Sequence, residues 1–276
     1  MSPQLPVNLG EALAQARGRI DAVDARVLLR EASGATAAQL VAFAERALQP
    51  DAAQRYAEWL ERRAAGEPIA HILGRREFYG RPFRVSAATL IPRPETELLV
   101  ELALHQLNRV EHPRILDLGT GSGAIAVSLA LECPGAEVYA VDFSPAAIEI
   151  AQNNAMALGA KVNFLSGSWF SPLAGQYFDC IVSNPPYIAE ADPHLAQGDL
   201  RYEPITALAS GSDGLADLCH IITHAPAHLE TNGWLLLEHG YDQAEAVRDL
   251  LQDAGFSGVH SWRDLAGIER VSGGHL

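Results

Sequence analysis

Five short runs rich in Ile, Val and Leu lie between residues 115 and 240: ILDLG, EVYAVD, VNFLSG, FDCIVSN and GWLLLEHG. Each is too short for a buried helix and too continuously apolar for a strand with one wet face, so each reads as a strand buried on both sides. The stretches SGAIAVSLALE, SPAAIEIAQNNAMALG and YDQAEAVRDLLQDAG stand between or after them with helical periodicity. Strand and helix in alternation imply a largely parallel sheet covered by helices on both faces. In such sheets ligands sit beyond the carboxyl ends of the strands, where the strand order reverses. The loops that follow the apolar runs are therefore the places to look for chemistry.

The first third of the chain has a different texture. Residues 9–20 read as a helix. Asp21 is placed to cap AVDARVLLREAS, which Gly34 can stop, and Thr36 to cap AAQLVAFAERAL. Asp51 is placed to cap AAQRYAEWLERRAA, ending at Gly66, in which Tyr56, Trp59, Leu60 and Arg63 recur at helical spacing. A small bundle over residues 1–66 is expected. Residues 67–94, broken by Gly80, Pro82, Pro92 and Pro94, suit a hairpin or connector, with Pro94 opening the helix ETELLVELALHQL. The remaining residues, 95–276, form the α/β domain.

Two loops carry chemistry. The first run ends in Gly119-Thr120-Gly121-Ser122-Gly123 and passes straight into a helix, offering a tight turn and the unpaired N–H groups of a helix start. The next run ends in Asp142, placed to accept hydrogen bonds from ribose hydroxyls. A dinucleotide fingerprint needs G-x-G-x-x-G, whereas this loop is G-x-G-x-G. Asp117, two residues ahead of it, suits a ligand bearing an ammonium and a sulfonium better than a pyrophosphate, which favours S-adenosylmethionine. The fourth run ends in Asn184-Pro185-Pro186-Tyr187. Two prolines fix the backbone and present carbonyls without N–H groups, the Asn side chain adds an acceptor and the Tyr a flat ring. Together they make a slot for a planar –NH2 group.

The Gly-rich loop, Asp142 and N-P-P-Y together resemble a class I, S-adenosylmethionine-dependent methyltransferase acting on a planar nitrogen. The connector PIAHILGRREFYGRPFRVSAATLIPRPETELLVE (68–101) is similar to that of the PrmC/HemK family of release-factor glutamine methyltransferases. QGDLRYEPITALASGSDGL (197–215), GWLLLEHGYDQAEAVRDLL (233–251) and DLAGIERVSGG (264–274) are similar to it as well, so the resemblance spans roughly residues 9–274. It implies a Rossmann-like, mostly parallel seven-stranded sheet with a small N-terminal helical bundle that recognises the substrate. It also implies roles. Gly119 to Gly123 would wrap the donor's methionine and ribose, Asp142 would hold the ribose, and Trp169 would pack beside the adenine. Asn184 would meet both donor and substrate, Pro185 and Pro186 would offer backbone to the substrate amide, and Tyr187 would pack on it.

The implied reaction moves a methyl group from S-adenosylmethionine to the side-chain nitrogen of the Gln in the Gly-Gly-Gln loop of peptide chain release factors, with S-adenosylhomocysteine as product. Asp117 and Glu238 are buried strand-end carboxylates near the site, and neither is assigned to proton transfer. Two other readings use the same slot: a glutamine methyltransferase of a ribosomal protein, and an adenine N6-methyltransferase. Charge bears on the latter. Residues 91–276 hold 24 acidic and 8 basic side chains, a poor surface for a phosphate backbone, whereas residues 1–90 hold 10 and 12. Direct contact with nucleic acid is not expected. Arg55, Arg62 and Arg63 are the expected docking charges of the bundle.

Cys133, Cys180 and Cys219 have no paired spacing, so neither a disulfide framework nor a metal site is expected. Neither a secretion signal nor a membrane span is visible, and a cytoplasmic location is expected.

Overall fold

The computed structural model describes residues 5–276; the first four residues of the stretch read for a signal segment lie outside it. The chain divides into two compact units between Leu73 and Gly74.

The first unit is helical. Helix α1 (Leu9–Ala16) is capped by Asn8, whose side chain accepts the Glu11 N–H, and α2 (Ala22–Ser33) by Asp21, with Gly34 in the left-handed conformation at its end. Thr36 and Gln39 form a reciprocal capping box at α3 (Ala37–Ala42). Helix α3 stops after six residues, short of the expected end at Leu48. Residues 44–48 instead turn back against the start of α1, where the Ala44 and Arg46 carbonyls accept the Gly10 and Leu9 N–H groups. A helix start leaves its first donors unpaired, and here a neighbouring segment gives up helix to satisfy them.

Helix α4 (Pro50–Ala64) begins two residues earlier than its expected cap allowed. Pro50 takes the first helical position, so Asp51 lies in the first turn, where its charge faces the positive end of the dipole. A short α5 (Ile69–Leu73) closes the unit, and its Ile72 joins Leu28, Leu29, Tyr56 and Leu60 in the core.

The second unit opens on a hairpin, β1 (Arg75–Phe78) and β2 (Arg81–Arg84), turned by Tyr79 and Gly80 with φ of 51° and 71°. Two central residues of positive φ match the right-handed twist of the flanking strands. Phe78 and Phe83 sink into the main core. The expected connector 67–94 is thus shared: its first part packs with the helices and its hairpin with the α/β unit.

A single turn Pro94–Thr96 leads into α6 (Glu97–Gln106). There follow β3 (Arg114–Leu118), α7 (Ala124–Glu132), β4 (Glu137–Asp142), α8 (Pro145–Leu158), β5 (Asn163–Ser166) and β6 (Phe178–Ser183). The chain ends with α9 (Ala216–His224), β7 (Leu229–Glu238), α10 (Ala244–Asp253), β8 (Ser257–Arg263) and β9 (Glu269–His275). Among the described residues these strands form a seven-stranded sheet in the order β5-β4-β3-β6-β7-β9-β8. It is parallel except for β9, which runs against both β7 and β8.

Side chains alternate between the two faces as the pleat requires. Ile115, Val138, Cys180, Val182 and Leu236 pack with α6 and α7 on one face. Leu116, Leu118, Val141, Ile181 and Leu235 pack with α9 and α10 on the other. The order reverses between β3 and β6, so the loops after these two strands flank one crevice.

Candidate active site

The loop after β3 is bent by three glycines of positive φ: Gly119 (72°), Gly121 (55°) and Gly123 (81°). At Gly123 a side chain is excluded twice over, by φ and by Ala151, whose Cβ lies 3.0 Å from where a new Cβ would stand. The loop is tied to β4 by its backbone and by a carboxylate. Gly119 and Thr120 donate to the Val141 carbonyl at 2.8 and 3.0 Å, and Gly121 N–H donates to Asp142 Oδ2 at 2.9 Å. The other Asp142 oxygen accepts the Ser144 N–H at 2.9 Å, and burial raises this carboxyl above its ordinary pKa.

Behind the loop, Asp117 is fully buried. One of its oxygens, Oδ2, accepts the Thr120 hydroxyl at 2.6 Å and the Ala126 N–H at 3.2 Å. The other, Oδ1, has no hydrogen-bond partner among the described residues. Burial pushes this carboxyl up to about 7. An unpartnered buried carboxylate oxygen is costly unless a ligand supplies a donor, and the ammonium of S-adenosylmethionine is such a donor.

A cavity of about 450 Å³ opens above the loop and Asp142, a size suited to a drug-sized ligand; Asp117 lies behind its wall. Gly119, Gly121, Asp142, Trp169, Asn184 and Pro186 all line it, so the two loops face one space. Thr120, Ser122, Gly123, Pro185 and Tyr187 stand outside its wall. The Thr120 hydroxyl is engaged by Asp117, and the Ser122 carbonyl accepts Asn154 Nδ2 at 2.8 Å. Trp169 packs its ring against Gly119 and adopts φ of 47°, a left-handed conformation rare for a bulky residue. Strain of this kind collects at ligand clamps.

Other wall residues came from segments quoted above only for family resemblance. Thr89 and Leu90 belong to the connector, and Pro204 and Thr206 to the 197–215 stretch. These two segments hold each other: buried Glu203 accepts the Ile91 N–H at 2.9 Å and pairs with Arg93. No local pattern marks such a pairing, because its partners lie 110 residues apart. Phe143, next to Asp142, lines the cavity and is 58% exposed, and an aromatic beside the strand-end acid was the available signal for it.

The slot residues follow β6. The Asn184 amide nitrogen donates to the Thr96 hydroxyl at 3.2 Å, and the Tyr187 hydroxyl donates to Glu238 Oε1 at 3.4 Å. The backbone of Tyr187 is clamped by Gln243, whose Nε2 donates to its carbonyl at 3.0 Å, and by Gly214, with φ of 78°. A Cβ on Gly214 would lie 2.3 Å from the Tyr187 oxygen, so only glycine fits there. Burial raises the Tyr187 hydroxyl well above the usual phenol range and pushes Glu238 up to about 7.

The expected docking arginines of the helical unit are engaged within it. Arg63 pairs with Asp24 at 2.7 Å, Arg62 with Glu67, and Arg55 donates to the Ala32 carbonyl at 3.4 Å. Among the described residues no cluster of His, Cys, Asp and Glu is arranged to hold a metal ion, and no helix is long and apolar enough to cross a membrane.

A Gly-rich loop and an N-P-P-Y turn on either side of the switch point, on this strand order, define a class I methyltransferase fold. Residues 94–199 match the methyltransferase small domain family, and residues 8–74 match the PrmC N-terminal domain. Over 255 residues, 92% of this chain and 94% of the other, the sequence is 53% identical to the release factor glutamine methyltransferase of Bordetella pertussis. It is 51% identical to the one of Escherichia coli K12 over 90% of each chain. A methyltransferase from Pyrococcus furiosus shares the fold, with a TM-score of 0.55 and 18% identity over 79% of this chain and 98% of its own. The chain belongs to the release factor glutamine methyltransferase family.

Proposed function

We propose that this enzyme methylates the side-chain amide nitrogen of the Gln in the Gly-Gly-Gln loop of peptide chain release factors, using S-adenosylmethionine. The observation that carries this reading is that Asn184 and Pro186 line the same cavity as Gly119, Gly121 and Asp142. A planar –NH2 held by the N-P-P-Y turn therefore abuts the space that receives the donor.

When bound, S-adenosylmethionine supplies a methyl group already activated by its sulfonium. The difficulty lies in the nucleophile, because an amide nitrogen shares its lone pair with its carbonyl. Asn184 Oδ1 and the Pro185 carbonyl accept the two amide hydrogens, orient the nitrogen and favour the positive charge it develops. The Tyr187 ring packs on the amide plane. No strong base is needed, since the methylated amide readily loses a proton to water. On the donor side, Asp117 holds the ammonium, Asp142 the ribose hydroxyls and Trp169 the adenine, while Gly119 to Gly123 let the backbone approach.

A Gly-Gly-Gln loop is small and exposed, so its owner must be identified by a second surface, and the helical unit serves that purpose. Arg62 and Arg63 are held in ion pairs and Arg55 donates to a backbone carbonyl, which leaves shape and other side chains to do the recognising. On this reading the enzyme works in the cytoplasm, where release factors act.

The test uses labelled S-adenosylmethionine, an intact release factor, and the same factor with the Gly-Gly-Gln glutamine replaced. Label is expected in the intact factor alone. Label in both, or in neither while the donor still binds, would remove this substrate and return ribosomal proteins and adenine to consideration.

A further inference from the structure

Two of the four residues in the N-P-P-Y turn are prolines, which bring no N–H with which to hold the turn in place. The carbonyl of its last residue, Tyr187, is held instead by the side chain of Gln243, from the loop after β7. Gln243 is 8% exposed and occupies the cap position of α10. A helix cap is ordinarily a short Asn, Asp, Ser or Thr that bonds its own helix. The Gln243 side chain makes no such bond. It reaches the other way.

Both ends of the Gln243 amide meet backbone groups, so its orientation is fixed by partners of known polarity. The Gly240 N–H can only donate, and it gives its hydrogen to Oε1 at 2.8 Å. The Tyr187 carbonyl can only accept, and it takes a hydrogen from Nε2 at 3.0 Å. A reversed amide would set donor against donor and acceptor against acceptor.

Each end is also braced. The Gln243 N–H donates to the Gly240 carbonyl at 3.1 Å, which closes a reciprocal pair between residues 240 and 243, and His239 Nδ1 donates to the same carbonyl at 2.8 Å. At the other end, a Cβ on Gly214 would stand 2.8 Å from Nε2 and 2.3 Å from the Tyr187 oxygen, so no side chain can come between them. Gln243 itself does not line the donor cavity.

We propose that Gln243 is a positioning residue for methyl transfer: its amide ties the Tyr187 carbonyl to the loop after β7, and so sets the Tyr187 ring and the Pro185 carbonyl in place for the substrate. This rests on the reading of residues 184–187 as a slot for a primary amide. A tether of this kind acts on the acceptor side of the reaction and leaves the donor side untouched.

Gln243→Glu keeps the shape and exchanges the N–H donor for an oxygen. When ionised, the new carboxylate still accepts from Gly240 but repels the Tyr187 carbonyl. When protonated, one oxygen accepts from Gly240 and the O–H donates to Tyr187, which restores both bonds. Burial and the facing carbonyl raise the pKa of a carboxyl placed there. The titratable groups nearest position 243 along the chain are His239, Asp242 and Glu245. Asp213 adjoins Gly214, Glu238 accepts the Tyr187 hydroxyl, and Arg270 donates to the His239 carbonyl at 3.3 Å. All are shared with the wild type, so the ratio of variant to wild-type kcat at each pH reads the new carboxyl alone.

With saturating donor and intact release factor, that ratio is expected to be about 10⁻² at pH 8.5, the cost of a misplaced reacting group. It should climb by about tenfold or more as the pH falls to 5.5, the proton supplying the missing donor. S-adenosylmethionine binding by calorimetry should stay within about threefold of wild type throughout. A slow variant whose ratio is flat with pH would overturn the tether, because lost packing does not respond to a proton.

Gln243→Met, neutral and of similar volume, should be slow at every pH with donor affinity retained, and it decides if Gln243→Glu does not fold. Asn184→Ala is run alongside. Normal kcat in Gln243→Met with Asn184→Ala inactive would overturn the tether and leave the amide slot standing. Normal kcat in both would overturn the slot, and the tether with it.

Discussion

At the scale of single residues, the site separates two tasks between two side chains. On the proposed function Asn184 meets the reacting amide, so Asn184→Ala should lower turnover at least about 10²-fold. Donor affinity, measured by calorimetry, should change only a few-fold. Trp169 shows the converse. Its ring lines the donor cavity and its backbone is held at φ of 47°, so Trp169→Ala should weaken S-adenosylmethionine binding by tenfold or more while leaving kcat at saturating donor close to normal. Both residues line the cavity; the sequence marks Asn184 because two prolines follow it at a strand end, and Trp169 only through family resemblance. Thr96 is not marked, because nothing near it in sequence shows that its hydroxyl meets Asn184, 88 residues away.

At the scale of elements, two walls of the cavity, the connector around Thr89 and Leu90 and the stretch around Pro204 and Thr206, are segments outside the main helices and strands that hold each other. Glu203 fixes the connector through Arg93 and the Ile91 N–H. Glu203→Ala leaves a backbone donor and a guanidinium without their acceptor, which should cost about 1–3 kcal/mol in denaturant titration. It should also weaken donor binding, since Thr89 and Leu90 line the cavity.

Gly214 acts on the other wall. Gly214→Ala meets a left-handed φ, worth about 1–2 kcal/mol, and a clash with the Tyr187 carbonyl. Its expected signature is a lower melting temperature together with lost turnover on release factor. Regular elements were easier to read than these loops. The five apolar runs are all strands, whereas β8 and β9 went unread because SGVHSWR and ERVSGGH mix polar residues and glycines with few apolar ones. They are strands because β7 offers an edge on which β9 can pair, and β9 then offers its own to β8.

At the scale of the whole molecule, two fully buried carboxyls give the donor-free protein a pH dependence. Asp117 and Glu238 both have native pKa values of about 7, above the ordinary carboxylate range, because burial disfavours their charged forms. Between about pH 4 and 7 the native state then binds more protons than the unfolded chain, so stability falls as pH rises through that window. The urea midpoint should be higher at pH 5.5 than at pH 8, and the Asp117→Asn, Glu238→Gln double variant should flatten this slope. Donor binding should oppose it, because an ammonium beside Asp117 favours the ionised form. Stabilisation of the enzyme by saturating S-adenosylmethionine is therefore expected to grow with pH across the same range.

What the sequence determined alone is whatever depends on near neighbours: strand and helix periodicity, the glycines that a sharp turn requires, the prolines that stiffen a strand end, and from these the α/β class and the two loops that matter. What only the tertiary structure decided is whatever depends on residues far apart in the chain. Helix α3 ends early because α1 needs carbonyls for its first N–H groups. Arg93 and Glu203 meet across 110 residues, and Tyr187 and Glu238 across 51. A buried polar group must find a partner, but its own sequence surroundings do not say which one. The fold names that partner: here Thr96 partners Asn184 and Glu238 partners Tyr187, behind the residues proposed to meet the substrate.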